Sequence, residues 1–339
     1  NCNFTRNTAQ QGGAIFVPDD RVHYLTQSVC DNLTISSCIF DSNTSPEASS
    51  IYLLGRNGSP SHVYITNQCI FTTSVDYSKL DTSTLIWTNY KILEISDIEF
   101  NFSDHACSER AIYTSLNAIT TVYKCIFRHC NAKGEGNAIY MASNAGKTTI
   151  TNCLFEDNGL NGWAIYSLCS NFEFDSNELQ YTGSDAAGGI AIMSSATAIV
   201  SNSIFRNINS YYSQEYGFNN IGNGITIYHP SIQDSNNENY QFTNLTFIAP
   251  RGDKTRCVNA STYYPISTFD DITIQDGIQQ TSLLCLFVIN AKTSNDFEVT
   301  NCKFINNTVD STPSSSEIRD ADSIGGGSGL AFACPNSNN

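Results

Sequence analysis

The sequence is poor in charge, in methionine and in long apolar runs. Asp, Glu, Lys and Arg make up 14% of the 339 residues, and 17 basic residues against 32 acidic ones leave a net charge of −15. An acidic chain gains no electrostatic attraction to nucleic acid or to anionic membranes, so we exclude both as partners. No stretch reaches the ~18 consecutive apolar residues that a spanning helix needs, so we expect this segment not to cross a membrane.

Helical periodicity is also missing, because no segment repeats apolar residues at the 3.6-residue spacing of an amphipathic helix. One short pattern instead recurs about ten times along the chain. Clear copies are "SCIFDSNTSPEASSIYL" (37–53), "KCIFRHCNAKGEGNAIYM" (124–141) and "TNCLFEDNGLNGWAIYS" (151–167). Self-similarity of this kind indicates a repeat architecture.

Each copy has three parts. An apolar residue comes first, and three positions later follows Cys-x-Phe or an equivalent pair such as Ile98 and Phe100. A small–aliphatic–aromatic triplet, for example "AIY" at 164–166, closes the copy. Alternation of period two with a variable middle residue is typical of a half-buried strand. We assign Phe172 and Phe174, preceded by Cys169, to a degenerate copy of the Cys-x-Phe part.

Three short strands per copy predict a solenoid, because so short a β-unit cannot bury its apolar face without stacking on its neighbours. We therefore predict an all-β fold, a parallel β-helix solenoid of about eleven coils with three parallel sheets. A strand spacing of ~4.8 Å would make this a rod roughly 50 Å long, in which like side chains form ladders.

Two motifs carry a resemblance to a known family. Gly12-Gly13-Ala14-Ile15 is complete, and Phe-x-x-Asn occurs at Phe4–Asn7, Phe40–Asn43, Phe155–Asn158, Phe174–Asn177 and Phe304–Asn307. With these motifs the chain resembles right-handed parallel β-helices of the pectin-lyase-like class, and in particular polymorphic-outer-membrane-protein repeats. Comparable repeats occur in surface proteins of protist parasites. The resemblance implies a right-handed coil and a surface or adhesin role.

The pattern runs through almost the whole chain, so we predict a single β-helix domain over 1–334. A Ser/Gly-rich excursion interrupts it at 306–329, and a tail follows at 335–339. The chain starts inside a copy of the pattern, which we interpret as a fragment of a longer protein. An open end of such a helix exposes unpaired backbone groups and favours end-to-end pairing.

Thirteen cysteines and eight Asn-x-Ser/Thr sequons favour a secreted or cell-surface protein. The N-glycosylation candidates are Asn3, Asn32, Asn43, Asn57, Asn101, Asn244, Asn259 and Asn306.

The cysteines fall into two groups. Those of the Cys-x-Phe pairs are expected to point inward as small buried hydrophobes, for which a free thiol is the simpler interpretation. Cys107 and Cys130 are expected in turns one coil apart, a spacing within the ~4.4–6.8 Å Cα range of a disulfide, and we predict this bond first. Cys257 and Cys285 share a column in adjacent coils and form the second disulfide candidate.

The aromatic residues of the triplets form a predicted stripe. Its members are Phe16, Tyr52, Trp87, Tyr113, Tyr140, Tyr166, Tyr228 and Phe287, with Phe332 in the last copy. Neighbouring residues of a strand face opposite sides, so we expect the aliphatic column inside and the aromatic column outside. The stripe could be covered by long turns, could pack on a partner or another copy, or could offer flat rings to sugars.

Motifs for catalysis and metal binding are scarce. The pairs Asp270-Asp271 and Asp19-Asp20 fit solvated turns, the five histidines share no column, and no Cys-x-x-Cys occurs. We therefore predict no catalytic residue, no metal ligand and no cofactor. Arg251-Gly252-Asp253 is an integrin-type tripeptide, expected in a turn, and is a candidate adhesion motif.

These features together predict a non-enzymatic structural or adhesive glycoprotein, extracellular or at the cell surface. Its partners would be other copies of the protein or surface ligands such as glycans. A protomer of an extracellular filament, assembled end to end or laterally, is one alternative. A polysaccharide-active lyase or hydrolase is the other, and three or more converging Asp or Glu side chains in a groove would favour it.

Overall fold

The computed structural model describes residues 2–17, 32–46, 48–54, 62–73, 83–89, 92–102, 109–130, 132, 135–158, 162–169, 171–181, 188–193, 197–210, 224–228, 239–252, 257–262, 266–279, 287–291, 297–309 and 330–333. All structural statements below concern these residues.

Strands are the only regular elements in this described part of the chain. In chain order they are β1 (Asn3–Thr5), β2 (Ile15–Val17), β3 (Asn32–Ser36), β4 (Ile39–Asp41), β5 (Ile51–Leu53), β6 (His62–Thr66), β7 (Ile70–Thr73), β8 (Ser83–Thr88), β9 (Ile92–Ser96), β10 (Glu99–Phe102) and β11 (Glu109–Thr114). The series continues with β12 (Ile119–Tyr123), β13 (Ile126–Arg128), β14 (Ile139–Met141), β15 (Lys147–Thr151), β16 (Leu154–Glu156), β17 (Trp163–Ser167), β18 (Asn171–Asp175), β19 (Glu178–Gln180), β20 (Gly188–Met193), β21 (Thr197–Arg206) and β22 (Asn209–Ser210). It ends with β23 (Ile225–Tyr228), β24 (Asn239–Ile248), β25 (Arg251–Gly252), β26 (Val258–Thr262), β27 (Ile266–Gln275), β28 (Ile278–Gln279), β29 (Phe287–Ala291), β30 (Phe297–Thr300), β31 (Lys303–Ile305), β32 (Thr308–Val309) and β33 (Leu330–Ala333).

These strands stack in parallel as a solenoid. A typical turn has a first strand such as β15, a second such as β16 and a third such as β17, and each pairs with its counterpart in the next turn. The third strands form an eleven-stranded sheet, and the first and second strands together form an eighteen-stranded sheet. A four-stranded sheet of β22, β25, β28 and β32 adds a short fourth side. The predicted all-β parallel solenoid is confirmed.

A ladder of phenylalanines fills the interior behind the second strands. Phe4, Phe40, Phe71, Phe100, Phe127 and Phe155 lie in consecutive turns, with ring centroids 4.6 to 5.0 Å apart. The last five of these rings are completely buried. Burial of large aromatic side chains in contact with one another is a major favourable term in folding, so this ladder is the centre of the core.

The bend between first and second strands is made by residues in the left-handed region of backbone conformation. Asn152, Ser176 and Asn202 have φ angles of 53°, 56° and 48°. Asn in particular adopts this region at little cost, because its short polar side chain can bond locally. The polar dipeptides between the strand patterns therefore mark the bends.

Just after each bend lies the Cys of the Cys-x-Phe pairs, and its role is more polar than the sequence predicts. The Cys125 N–H donates to Cys153 Sγ (3.4 Å), the Cys153 N–H to Asn177 Oδ1 (2.8 Å), and the Asn177 N–H to Ser203 Oγ (3.1 Å). The Cys153 thiol in turn donates to the Thr151 carbonyl oxygen at 3.3 Å. The position therefore requires a small side chain that accepts and donates, which Cys, Asn and Ser all provide.

The assignment of one degenerate copy is wrong. Phe172 and Phe174 belong to the first strand of their turn, where Phe174 lies opposite Ile150. The second strand contains Leu179, which occupies the phenylalanine position opposite Phe155. The first and second strands have the same period-two alternation, so a Phe-x-Phe segment fits either of them.

Candidate functional site on the outer aromatic face

Six aromatic rings stack along the outer face of the eleven-stranded sheet, and we call them the aromatic stripe. Successive ring centroids are 4.5 to 6.0 Å apart and the rings lie within 26° of parallel. The neighbouring isoleucines, such as Ile86 and Ile112, are completely buried on the opposite, inner face. The stripe consists of Phe16, Tyr52, Trp87, Tyr113, Tyr140 and Tyr166.

Tyr228 does not continue this stripe. Tyr166 lies opposite Ala191 in the next turn, whereas Tyr228 lies opposite Met193, two positions further along β20. Strand β20 contains both Ile190 and Ile192, and either could fill the inner position. A slip of two residues keeps the inside–outside alternation, so the sequence pattern alone cannot exclude it.

Phe287 is also out of register with the stripe. It lies opposite Val258, which in turn lies opposite Ile225 in the column of the inner isoleucines. Val288 occupies the position in that turn that continues the stripe column, opposite Asn259. The regular aromatic column therefore ends at Tyr166.

Ring stacking limits which parts of the stripe a ligand can contact. Phe16 is 42% exposed, whereas Tyr166 at the other end is 5% exposed, and Tyr113 and Tyr140 are half-buried. Each inner ring has both faces against neighbouring rings, so only edges and hydroxyl groups reach the surface. A sugar stacks on a ring face, and the stripe therefore does not provide a row of flat sugar platforms.

Arg110 packs on the stripe and binds the turn that contains Glu135 and Gly136. Its guanidinium carbon lies 4.7 Å from the Tyr140 ring centroid and 5.9 Å from that of Tyr113. Nε donates to the Gly136 carbonyl oxygen at 2.7 Å, and a terminal nitrogen donates to the Glu135 carbonyl oxygen at 2.6 Å. The side chain is almost fully buried, and this burial lowers the pKa of Arg110 to about 10. Even so, the guanidinium is charged at neutral pH.

Glu135 adds a carboxylate to the same cluster. Burial raises the pKa of Glu135, and the hydrogen bond from the Tyr166 hydroxyl and the charge of Arg110 oppose that rise. Burial, followed by the negative charge of Glu135, raises the pKa of Tyr166. The cluster therefore joins a buried cation, a carboxylate and a phenol that donates to it.

Trp163 closes the end of the stripe. Its ring centroid is 5.8 Å from that of Tyr166, and the two rings, Ala191 and Met193 form an apolar cluster separate from the main core. Trp163 is 3% exposed, and its Nε1–H meets no hydrogen-bond acceptor within the described part of the chain.

Outside the stripe, charged side chains on the second strands connect adjacent turns. Arg128 bonds Glu99 on one side and Glu156 on the other, both at 2.6 Å. Arg206 bonds Glu178 at 2.5 Å. These carboxylates are thus held in ion pairs along the solenoid axis.

The Asp270-Asp271 pair has the same inter-turn role. Asp270 accepts hydrogen bonds from Thr300 Oγ1 at 2.6 Å and Asn301 Nδ2 at 2.8 Å in the next turn. Asp271 lies 3.6 Å from Lys303 Nζ. The other pair, Asp19-Asp20, lies outside the described residues.

A shallow groove of about 530 Å³ crosses the bends of several turns. Its lining includes Lys124, Asn152, Leu154 and Asn202, and its one carboxylate is Glu178, which is paired with Arg206. The groove does not bring together the several carboxylates expected of a polysaccharide hydrolase. Within the described ranges, no group of three or more His, Cys, Asp or Glu is placed to hold a metal ion.

The sequons differ in access. Asn43 and Asn259 are buried, and Asn43 Nδ2 donates to the Phe4 carbonyl oxygen at 2.9 Å, so a glycan on either would have no path to solvent. Asn101 is half-buried and bonds Glu99 at 3.3 Å. Asn57 lies outside the described residues, and the exposed candidates are Asn3, Asn32, Asn244 and Asn306.

The disulfide and tripeptide candidates are only partly described. Cys130 and Cys257 are buried, and burial raises the pKa of the Cys257 thiol, but Cys107 and Cys285 lie outside the described residues. Both disulfides therefore stay predictions. Arg251 and Gly252, expected in a turn, form strand β25 between β22 and β28, and Asp253 lies outside the described residues.

One solved structure is similar to this chain at low sequence identity. No family model and no curated protein matches the chain. Among solved structures, the A-module of the mannuronan C-5 epimerase AlgE6 from Azotobacter vinelandii is similar, with a TM-score of 0.37 and 8% identity over 84% of this chain and 92% of that one. A likeness at this level assigns no activity. The described part of the chain contains no helix long and apolar enough to span a membrane.

Proposed function

We propose that the chain is a non-enzymatic structural or adhesive glycoprotein of the extracellular space or cell surface, shaped as a rigid β-helical rod. This proposal rests on the contacts that the outer polar side chains make between neighbouring turns. Arg128 forms ion pairs with both Glu99 and Glu156. Asp270 accepts hydrogen bonds from Thr300 and Asn301, so these groups hold neighbouring turns together. They do not converge on a shared cleft.

Stiffness follows from the number of parallel ladders between each pair of turns. Backbone hydrogen bonds, the phenylalanine ladder, the aromatic stripe and the ion pairs all run along one axis. A turn can tilt only if several of these ladders break together. Such a rod would hold the exposed edges of the stripe at fixed positions for a partner.

Cysteine content and accessible sequons support an extracellular location. Asn3, Asn32, Asn244 and Asn306 are exposed, so glycans on them would project from the rod without disturbing the core. A rigid rod that carries glycans suits contact with other cells or with matrix.

The first test combines shape with binding. We expect small-angle X-ray scattering of the purified glycosylated chain to show an elongated particle, and the fluorescently labelled chain to bind cells or a glycan array saturably. The heat-unfolded chain serves as the control. Turnover of an acidic polysaccharide by the purified chain would refute the non-enzymatic assignment. If electron microscopy shows ordered filaments and the chain binds neither cells nor glycans, self-assembly would be the function instead of adhesion.

A further inference from the structure

The last three rings of the aromatic stripe are tyrosines in direct succession. The centroids of Tyr113 and Tyr140 are 5.2 Å apart with rings 3° from parallel, and those of Tyr140 and Tyr166 are 5.3 Å apart with rings 10° from parallel. The three residues lie directly opposite one another in adjacent strands. Equivalent ring carbons beside the hydroxyl groups are therefore close neighbours.

One of these phenols already has a proton acceptor. The Tyr166 hydroxyl donates to the Glu135 carboxylate. A phenol that loses an electron becomes a strong acid, and a carboxylate hydrogen-bonded to it takes up the proton. Arg110 holds the turn that carries Glu135 in place through its bonds to the Gly136 and Glu135 carbonyl oxygens, so it acts as a positioning residue.

The stack also offers a route for the electron. Tyr166 is nearly buried, but Tyr140 is half-buried, and it is linked by ring contacts through Tyr113 to the half-buried Trp87. An oxidant at the surface can therefore remove electrons from an exposed edge of the stripe while the ring of Tyr166 stays covered.

We propose that Tyr140 and Tyr166 form a dityrosine cross-link between adjacent turns on exposure to a one-electron oxidant, such as a peroxidase intermediate. Two oxidant equivalents remove one electron from each phenol. The Tyr166 proton passes to Glu135 and the Tyr140 proton to solvent. The two phenoxyl radicals join through ring carbons beside their oxygens, and the hydrogens on those carbons move to the oxygens, which restores both phenols. This modification goes beyond the proposed function and does not depend on it.

The test uses the folded chain, a ruthenium tris-bipyridine photosensitiser and persulfate as the final electron acceptor. We expect dityrosine fluorescence to appear in monomeric protein, and peptide mapping to join the peptides that carry Tyr140 and Tyr166. Tyr140→Phe and Tyr166→Phe keep the rings stacked but remove one phenol, and each should abolish this cross-link. A cross-link that maps only between separate molecules, or that persists in both variants, would overturn the proposal.

Matched variants separate the partners and the proton acceptor. The surface variant Tyr123→Phe should leave the Tyr140–Tyr166 product unchanged, whereas a product joining Tyr113 to Tyr140 would refute the assigned pair. Glu135→Gln should lower the initial rate of cross-linking by about tenfold or more, because the amide cannot take up the proton. An unchanged rate in that variant, with the fold intact by circular dichroism, would overturn the role of Glu135.

Discussion

Asn158 Nδ2 donates to the carbonyl oxygen of Phe127 at 2.8 Å, one full turn back along the solenoid. The same amide group accepts the backbone N–H of Cys130 at 2.9 Å through Oδ1. Asn307 repeats the arrangement with Gly277 N–H and the Ile274 carbonyl oxygen. The Asn of the Phe-x-x-Asn motif thus satisfies two backbone groups of the preceding turn.

Replacing Asn158 by Ala should therefore destabilise the solenoid by about 1–3 kcal/mol, because it leaves a buried donor and acceptor without partners. Urea unfolding followed by circular dichroism measures the effect. The exposed Asn3→Ala is the control and should shift the midpoint little, because Asn3 lies in strand β1 with ordinary backbone conformation. Equal shifts in the two variants would contradict this role for Asn158.

Cys153 should tolerate Ser but not Val. A Ser hydroxyl can accept the Cys125 N–H and donate to the Thr151 carbonyl oxygen, as the thiol does. Val fills the space but leaves that buried N–H unpaired, which costs about 1–3 kcal/mol. Thermal unfolding of the two variants is the measurement, and a Val variant as stable as the Ser variant would show that the position requires only volume.

Gly136 has a φ of +64°, and an added Cβ would lie 2.6 Å from the Ile139 carbonyl oxygen. We expect Gly136→Ala to displace the turn that Arg110 holds and to lower stability by about 1 kcal/mol or more. Gly136→Asn is the informative partner variant, because Asn tolerates positive φ but adds the same Cβ. Rescue by Asn in an unfolding assay would mean that φ alone, and not the close contact, requires glycine.

Acid should weaken the inter-turn bonds of Asp175 and Asp270. Desolvation opposes ionisation of Asp175, but hydrogen bonds from Ser201, Asn202 and Ser176 outweigh it and lower its pKa. Bonds from Thr300 and Asn301 lower the pKa of Asp270. A carboxyl with a lowered folded pKa stabilises the fold above its unfolded pKa, and this contribution disappears as pH falls through the folded value.

We therefore expect the Asp175→Asn variant to lose less unfolding free energy than the native chain between about pH 5 and pH 2. Urea titrations at a series of pH values measure the difference. Asp276→Asn, which changes an exposed carboxylate at the corner after β27, is the control. Parallel pH profiles for Asp175→Asn and the native chain would rule out the contribution.

The solenoid could be predicted because every turn repeats the same inner and outer positions, which a single sequence displays many times. Register within a turn was harder. Ile190 and Ile192 fit the inner site equally well, and Phe174 fits either of two strands, because both errors keep the period of two. The arrangement of Arg110 and Glu135 occurs once among the described residues, so no repeated sequence position reveals it. The sequence signal for it is Arg110, a charged residue directly before the triplet at 111–113, at a position where the preceding turn has Thr84.

The relay from Cys125 to Cys153, Asn177 and Ser203 has a consequence for the length of the molecule. Each bend supplies its side chain to the turn before it, and three different residue types are interchangeable in that task. Two bends that are not adjacent in this chain could therefore form the same hydrogen bond if a change in sequence brought them together. We expect whole periods to be deleted or duplicated with little repair at the junction, so that the reach of the rod can change in steps of one turn.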